Sequence, residues 1–484
     1  MKSTLVVSLL AVAASAADVV NQTTCAGTTY KYTGLAGYGF VPSNATDKYG
    51  DTIGGIGSSV AIDSCSWRSR HGAYHGTVYT LPDRGWNTNG TLNYQNRIHK
   101  FAISLKLAPH ASVKNPSDPN IRLEYLDTIL LTGPCGEPTT GLDADFTGYG
   151  SYDGFPPLPV ATYTGNGFGG PGKGGRRISI DPEGLALDPR DGGFWVSDEY
   201  GPYIYKFSSK GRMELAIQPP QAYLPRRNGT LSFNSNSPPL YDPEEVPIPE
   251  NTVTGRANNQ GLEGLTISPD GKTLYALMQS ALDQEGGPAK QTKQPARMIA
   301  YDISGKKPKY IHEWVVMLPK YFDYTSSKAI LARDSGFGHG KDESLSMYRQ
   351  ADVFSVLKKR VNATDLKGLK NYDTATGAIP SSEGVLNSDI TPAEYCPFLD
   401  FNVNSELGKF RLHNGGAQDQ WLLNEKWESL ALVPAGGRGE YFLISFSDND
   451  FITQDGHMNF GKFPYKDESG YNVDNQVLAF KVKF

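Results

Sequence analysis

The chain of 484 residues carries 46 Lys or Arg and 51 Asp or Glu residues, which gives a formal net charge of −5. This balance provides no basic field for a nucleic acid, so nucleic-acid-binding functions are excluded. With 53 Gly, 32 Pro, 27 Tyr and 21 Phe, the composition is typical of many short strands joined by tight turns.

The N-terminus has the pattern of a secretory signal peptide over residues 1–16. Lys2 precedes an apolar run from Leu5 to Ala13, and Ala14-Ser15-Ala16 forms a small-x-small cleavage site. The apolar run is shorter than the roughly 20 residues that a membrane-spanning helix needs, and no later segment comes closer. The sequence therefore predicts a secreted, extracellular protein without a membrane partner, whose mature domain spans residues 17–484.

Secretion determines how the cysteines are interpreted. Their number is even, their spacing is wide and no Cys-x-x-Cys pair is present, so two disulfides are expected rather than a zinc site. The pairing stays open among Cys25, Cys65, Cys135 and Cys396. Surface loops with N-glycans are predicted at the Asn-x-Ser/Thr acceptors Asn21, Asn44, Asn89, Asn228 and Asn362.

The stretch DPEGLALDPRDGGFWVSDEYG predicts a β-hairpin. Residues 185–187 form one strand, an Asp-Pro/Gly-Gly cluster forms the turn, and residues 194–197 form the second strand. In an antiparallel pair the start of the first strand lies opposite the end of the second. Glu183 is therefore expected beside Asp198 and Glu199, where like charges repel.

Related hairpins recur along the chain. NNQGLEGLTISPDGKTLYALMQS repeats the pattern with Glu263, and KWESLALVPAGGRGEYFLISFSDND repeats it with Glu428 before Asp448 and Asp450. Partial copies end at Asp83-Arg84 and at Arg333-Asp334. A further strand of alternating apolar residues follows each hairpin. The repeat predicts an all-β fold, a single β-propeller of four-stranded antiparallel blades, with about six blades and five or seven as alternatives.

In a propeller, the first strand of each blade begins on the face where the second strand ends, so the acidic residues would ring one mouth of the central channel. Crowded carboxylates favour a bound cation, and oxygen ligands outside cells favour Ca²⁺. The predicted metal ligands are Asp83, Glu183, Asp198, Glu199, Glu428, Asp448 and Asp450. The predicted catalytic residues are Glu183, Asp198, Glu199, Glu263, Arg84 and Arg333. The alternative is that these residues are polar strand ends that only terminate the blades.

These motifs resemble the phytase-like, or "esterase-like activity of phytase", family of secreted and periplasmic proteins. The resemblance rests on DPEGLALDP, GGFWVSDEYGPYIYKF, NQGLEGLTISPDGKTLYALMQS, ARMIAYDISG and LARDSG, and extends over residues 54–484. It implies a propeller that hydrolyses phosphoric or related esters, and the acidic residues of the family's motifs match Glu183, Asp198, Glu199 and Glu263. The Asp-Ala-Asp-Asp-Pro-Ala signature of the bacterial calcium phytases is missing, which argues against inositol hexakisphosphate as the substrate.

Other motifs predict less. SRHGAYHG has Tyr74 and Gly76 where histidine acid phosphatases have a second Arg and a Pro. GNGFGGPGKGG contains Gly-x-Gly-x-x-Gly, but Pro171 prevents the helix that a dinucleotide site needs. Its Lys173, Arg176 and Arg177 belong either to a solvated surface loop or to a loop over the mouth that binds an anionic substrate.

The leading hypothesis is a secreted, monomeric, metal-dependent hydrolase of phosphoric or related esters that acts on a small molecule or a glycan. Ca²⁺ would polarise the ester, and Arg84 or Arg333 would balance the developing charge. The alternatives are a calcium-dependent lactonase or polysaccharide lyase, and a non-enzymatic glycan- or protein-binding propeller. A sugar-binding cleft would be favoured if four aromatic residues flank the mouth: Trp86, Trp195, Tyr200 and Tyr203.

Overall fold

The computed structural model describes residues 19–286, 292–323, 328–331, 336–356, 362–369, 371–379, 381–382 and 384–484. The predicted signal peptide and Arg333 lie outside the described residues. Within these ranges, no helix combines the length and the apolar composition needed to cross a membrane. The short helices with described bounds are Gln221–Tyr223, Asp283–Gly286, Asn404–Leu407 and Gly408–Phe410.

Three successive antiparallel sheets of four principal strands form the first, second and third blades. The first blade contains Ser59–Ile62, Ala73–Leu81, Arg97–Leu105 and Ile121–Leu130, with Arg68–Arg70 paired to its second strand. The second blade contains Pro182–Leu187, Phe194–Asp198, Ile204–Phe207 and Met213–Ile217. The third blade contains Leu262–Ile267, Thr273–Met278, Pro295–Asp302 and Lys309–Met317.

The two ends of the described chain meet in one sheet, the closing blade. Its order is Ala431–Pro434, Glu440–Asp448, Asn475–Lys483 and Thr28–Val41, with Asn21–Cys25 at the edge. The strand Asn475–Lys483 is central, since Tyr32 pairs with Val482 on one side and Tyr441 pairs with Val482 on the other. A short strand, Lys426–Trp427, pairs with the end of Glu440–Asp448.

The other strands form two-stranded sheets. Between the third blade and the closing blade in sequence lie the pairs Lys320–Asp323 with Lys328–Leu331, Gln350–Ser355 with Glu394–Asp400, and Ser381–Ser382 with Val385–Leu386. The remaining pairs are Val160–Tyr163 with Gly175–Ile178, Arg226–Arg227 with Thr230–Leu231, and Gly456–Met458 with Phe463–Tyr465.

Apolar clusters fill the spaces between adjacent blades. Val78 and Phe101 of the first blade pack with Phe442 and Val477 of the closing blade. A second cluster joins the first and second blades, and a third joins the second and third blades. This radial arrangement confirms the predicted all-β propeller of four-stranded blades. The number of about six blades stays a prediction, because the chain between the third and closing blades is described only in part.

One disulfide joins Cys25, at the edge of the closing blade, to Cys396 in the strand Glu394–Asp400. The expectation of a second disulfide is wrong, because Cys65 and Cys135 are unbonded and exposed. The register of the first blade explains why. Cys65 follows Ile62 at one end of that blade, whereas Cys135 follows Leu130, which pairs with Arg97 at the other end.

Candidate active site

The acidic repeat residues occupy β-bulges at the starts of the innermost strands. In the second blade Pro182 pairs with Asp198 and Gly184 with Ser197, which leaves Glu183 as the extra residue. The third blade repeats this shift around Glu263, between the pairs Leu262–Met278 and Gly264–Leu277. Since a bulge redirects its extra side chain, the same local geometry aims both glutamates at the channel end of their blades.

The closing blade follows the same rule. Trp427 pairs with Ser447 and Ala431 pairs with Ile444, so three residues that begin with Glu428 face two on the partner strand. Ser429 bonds Phe446 in both directions, because its Oγ accepts from the backbone N–H at 3.1 Å and donates to the carbonyl at 3.3 Å. This leaves Glu428 as the extra residue, in the position of Glu183 and Glu263.

Neighbouring blades approach one another closely at this end of the molecule. A Cβ atom on Gly261 would lie 2.5 Å from Cα of Glu199, and one on Gly57 would lie 2.0 Å from the carbonyl carbon of Ser447. Only glycine allows such contacts. They bring the second-strand ends of the second blade and of the closing blade against the segments that lead into the innermost strands of the third and first blades, so carboxylates from different blades come together.

The centre of this acidic mouth is formed by Asp83, Asp181 and Glu183. One carboxylate oxygen from each lies within 4.8 Å of the others. Burial raises the pKa of Asp83 well above its usual value, and the charges of Asp448 and Asp181 raise it further. Burial likewise raises the pKa of Glu183, with further contributions from Glu263 and Asp181. The sequence analysis missed Asp181, although it occupies the position two residues before the bulged glutamate.

Asp181 also lies close to Glu199, which is 1% exposed. Burial raises the pKa of Asp181 to about 7, the Arg84 charge opposes the rise, and the charge of Glu199 and its hydrogen bond to Asp181 add to it. Ionising both of these buried, neighbouring carboxyl groups is unfavourable, because each negative charge disfavours the other. The second blade therefore supplies a close acidic pair to the mouth.

The closing blade supplies a cation at the position that corresponds to Asp181. The ammonium group of Lys426 lies 2.7 Å from Asp448, 3.0 Å from Asp450 and 3.3 Å from Glu428. Burial opposes the charge on Lys426, but these three carboxylates raise its pKa well above the usual value. Lys426 therefore neutralises part of the acidic mouth internally. The sequence analysis missed this residue, because its position two residues before Glu428 becomes informative only once the bulge is known.

Arg84 is a second cation beside the cluster, and its charge, like that of Lys426, acts on Asp83. Its Nη1 lies 3.1 Å from Asp181 and donates to Oδ1 of Asn259 at 2.6 Å. The guanidinium stands over the ring of Tyr200, with 5.8 Å between the Cζ atom and the ring centroid. Burial opposes its charge, yet Asp181 and Tyr200 raise the pKa of Arg84 further above its usual value. These contacts hold the cation in a fixed position at the mouth.

Asp198 is placed differently from the prediction. Its carboxylate accepts hydrogen bonds from the backbone N–H groups of Asp181, Tyr200 and Gly201 and from the hydroxyl of Tyr205. Asp198 is the last residue of its strand, and Glu199, the next residue, lies beside Asp181. Asp198 therefore supports the loop that carries Glu199, with both oxygens already engaged.

The four aromatic residues considered for a sugar-binding cleft are buried. Trp86 donates to Asp467 and stacks on Tyr465, and Trp195 donates to Asp188. The side chains of Tyr200 and Tyr203 are both 0% exposed. The rings of all four are thus mostly covered by protein, whereas Arg84 and Lys426 lie among the acidic residues.

Comparison with known proteins identifies the family. A protein of Arthroderma benhamiae named "Uncharacterized secreted protein" is 58% identical over 468 residues, which covers 90% of each chain. Among solved structures, a putative 6-phosphogluconolactonase from Bacteroides uniformis overlaps with a TM-score of 0.27 and 11% identity, over 92% of this chain and 99% of its own. An auxiliary nutrient binding protein from Bacteroides thetaiotaomicron has a TM-score of 0.26 and 10% identity, over 92% and 76%.

The structural overlaps are low, so neither of the two solved proteins bears on the chemistry of this mouth. The family model is different, because it matches the sequence over residues 70–451, which include the bulged glutamates and their partner strands. The chain belongs to the phytase-like family, described as "esterase-like activity of phytase".

Proposed function

We propose that this protein is a secreted, metal-dependent hydrolase of phosphoric or related esters, with the acidic mouth as its active site. The observation that carries the proposal is the approach of one carboxylate oxygen each from Asp83, Asp181 and Glu183 to within 4.8 Å of one another, with Asp83 and Asp181 buried and Glu183 half-buried. Oxygen ligands of this kind suit Ca²⁺ or Mg²⁺, and an extracellular location favours Ca²⁺.

The charges around the three carboxylates support a bound cation. Lys426 is engaged by Asp448, Asp450 and Glu428, and Arg84 is engaged by Asp181. Asp83 and Glu183 form no ion pair with a protein cation among the described residues. The ligand set is therefore narrower than the seven residues that the sequence suggested, with Asp83, Asp181 and Glu183 as its members and Glu199 alongside.

In this function the metal would polarise the ester and lower the pKa of a water molecule. The protein's own groups would bind and orient the substrate. Arg84, held by Asp181, Asn259 and Tyr200, is placed to donate to an anionic oxygen without reorganising. Glu199 and Asp181 provide a carboxyl pair that can hold or release a proton beside that oxygen.

Secretion is part of the same proposal. The related Arthroderma protein is named as secreted, and the disulfide between Cys25 and Cys396 suits an oxidising compartment. The asparagines of the five Asn-x-Ser/Thr acceptors are all exposed, which suits N-glycosylation, although Nδ2 of Asn21 donates to the carbonyl of Phe398: Asn21, Asn44, Asn89, Asn228 and Asn362.

The test measures metal binding and turnover separately. Calorimetry with Ca²⁺ on the chelator-treated protein should show binding that weakens at least about tenfold, or about 1.4 kcal/mol, in Glu183→Gln and in Asp83→Asn. Asp270→Asn, at an exposed position of the turn before Gly271, is the matched control and should bind as the wild type does. Wild-type protein should hydrolyse a p-nitrophenyl phosphate mono- or diester in Ca²⁺ and lose that activity in excess chelator.

The outcomes separate the alternatives. No Ca²⁺ binding, or binding that neither mouth variant weakens, would remove the metal mechanism. Metal binding with turnover of lactones but not of phosphoric esters would favour the lactonase. Metal binding without turnover of phosphoric esters, carboxylic esters, lactones or uronate-containing polysaccharides would leave a binding propeller.

A further inference from the structure

A cavity that none of Asp83, Asp181 and Glu183 lines has a volume of about 260 Å³. A water molecule occupies about 30 Å³ in the liquid, so the cavity has room for a much larger group. Its walls come from the loop before the third strand of the first blade and from the glycine-rich loop that precedes Gly175–Ile178. Polar and apolar groups line it about equally: the rings of Tyr163, Phe168 and Phe460 lie beside the polar side chains of Asn93, Gln95, Asn166, Lys173 and Arg177.

The glycine-rich loop is held in one shape by its own hydrogen bonds. Oδ1 of Asn166 accepts from the N–H groups of Phe168 and Gly170, and the N–H of Gly174 donates to the carbonyl of Gly165. Gly165 has a φ of +56°, and a Cβ there would lie 2.1 Å from the carbonyl oxygen of Gly170. The glycines thus allow the loop to form a compact turn, and this turn forms one wall of the cavity.

Asn93 connects the two walls. Its N–H donates to Gly167, its Nδ2 donates to the Asn166 carbonyl at 3.0 Å, and its Oδ1 accepts from Nη1 of Arg177 at 3.0 Å. The guanidinium of Arg177 also stands over the ring of Tyr163, 5.4 Å from its centroid. Arg177 is therefore positioned with only one of its five donors used by a described residue.

The charge in the cavity is positive once the internal pairs are taken into account. The one lining carboxylate, Asp51, is bonded to Arg97 at 2.8 Å, and Arg97 is also bonded to Asp47 at 2.8 Å. Within the described part of the chain, neither Lys173 nor Arg177 has a carboxylate partner. The adjacent Arg176 differs, because it points away and lies 3.5 Å from Asp145.

We propose that this cavity binds a phosphate-sized oxyanion, through the guanidinium of Arg177 and the ammonium of Lys173. A planar guanidinium with free donors and a nearby lysine form a recognised pattern for phosphate. The ligand is either inorganic phosphate or the phosphate group of a small molecule. The proposal goes beyond hydrolysis at the acidic mouth and does not depend on it.

The two sites are nevertheless neighbours. Arg177 precedes Asp181 by four residues, so their Cα atoms are at most about 14 Å apart. The cavity therefore contacts the same segment that supplies the acidic mouth, and the test has to keep the two sites apart.

The test is calorimetry with sodium phosphate in excess EDTA, which prevents a metal at the mouth from contributing. Binding should weaken about tenfold in Arg177→Gln and severalfold in Lys173→Gln. It should be unchanged in Arg176→Gln, the matched arginine control, and in Glu183→Gln, which alters only the mouth. A thermal melt of each variant establishes that it is folded, and Lys173 is exposed, so its replacement removes no packing.

A parallel titration with glucose 6-phosphate distinguishes the two sources of the anion. Tighter binding than inorganic phosphate assigns the cavity to a phosphorylated molecule, and weaker binding assigns it to free phosphate. An absence of phosphate binding in the wild type would overturn the proposal. An equal loss in Arg176→Gln and Arg177→Gln would overturn it too, because general surface charge would then explain the binding.

Discussion

His99 shows how one buried side chain sets the response of the protein to acid. It is 0% exposed in the third strand of the first blade, and its Nδ1 is 2.9 Å from the hydroxyl of Thr128. Burial lowers the pKa of His99 from 6.5 to about 3. In the unfolded chain the imidazole takes up a proton near pH 6.5, whereas in the folded chain it stays neutral. The stability that His99 contributes is therefore complete above pH 6.5 and is lost as the pH falls towards 3.

We predict that His99→Gln reduces this acid sensitivity. Linkage gives a loss of about 2 kcal/mol from His99 between pH 7.5 and 5 in the wild type, which the variant should lack. The measurement is urea unfolding at both pH values. His110→Gln, at an exposed position, is the control and should retain the wild-type dependence on pH. If His99→Gln retained it as well, the neutral buried imidazole would be refuted.

Single residues also show how far the sequence could predict the site. Glu183, Glu263 and Glu428 were found because each stands before a recognisable strand and turn. Lys426 was not found from the sequence, because no rule of strand or turn composition identifies a residue two positions before a bulge. The role of Asp198 could not be predicted from the sequence either, since its carboxylate accepts from backbone N–H groups whose positions only the folded loop determines.

At the scale of elements, the hairpins were predictable and their irregularities were not. The sequence predicted strands at residues 185–187 and 194–197, and the structure has Pro182–Leu187 and Phe194–Asp198. The first three residues of the strand Pro182–Leu187, which the sequence did not predict, belong to the bulge, where Glu183 interrupts the alternation that identifies a strand. In the third blade Glu263 interrupts the alternation of its strand in the same way. The bulges are therefore the parts of the hairpins that the sequence did not predict, and they also carry the glutamates of the candidate site.

The disulfide connects two elements that no described sheet joins, the edge strand Asn21–Cys25 and the strand Glu394–Asp400. We predict that Cys25→Ser with Cys396→Ser lowers the free energy of unfolding by about 2–5 kcal/mol, because the loop between these residues is long. Cys65→Ser and Cys135→Ser are matched controls that should change the free energy of unfolding by no more than about 0.5 kcal/mol, since both thiols are exposed. Two titratable thiols per denatured, unreduced chain are expected, and a count of zero would contradict this pairing.

The whole molecule depends on a closure that lies outside the family match. The match ends at residue 451, whereas the closing blade needs Thr28–Val41 and Asn475–Lys483. Four residues of the latter strand, Val477, Leu478, Ala479 and Phe480, are at most 1% exposed. The resemblance of motifs therefore identified the repeated blades, but the pairing of the two ends follows from tertiary structure.

Removal of the last strand should prevent closure of the propeller. Deleting residues 475–484 exposes the edges of Thr28–Val41 and Glu440–Asp448 and removes several buried apolar side chains worth about 1.5–3 kcal/mol each. This loss is comparable with the whole stability of a domain, about 5–15 kcal/mol. We therefore predict that the truncated protein shows no cooperative thermal transition by circular dichroism.

A circular permutant tests whether cooperative unfolding depends on the closed ring of blades or only on the length of the chain. Asn21 pairs with Tyr32 and Tyr32 pairs with Val482, so the two ends of the closing blade are about 10 Å apart at a strand spacing of about 4.8 Å. A six-residue Gly/Ser linker from Phe484 to Val20 spans this distance, with new ends between Pro109 and His110, both exposed. The permutant keeps every strand pair and should unfold cooperatively, unlike the truncation. The opposite result would be a permutant that melts without cooperativity and a truncated protein that melts cooperatively. That result would show that stability resides in the separate blades and not in the closed ring.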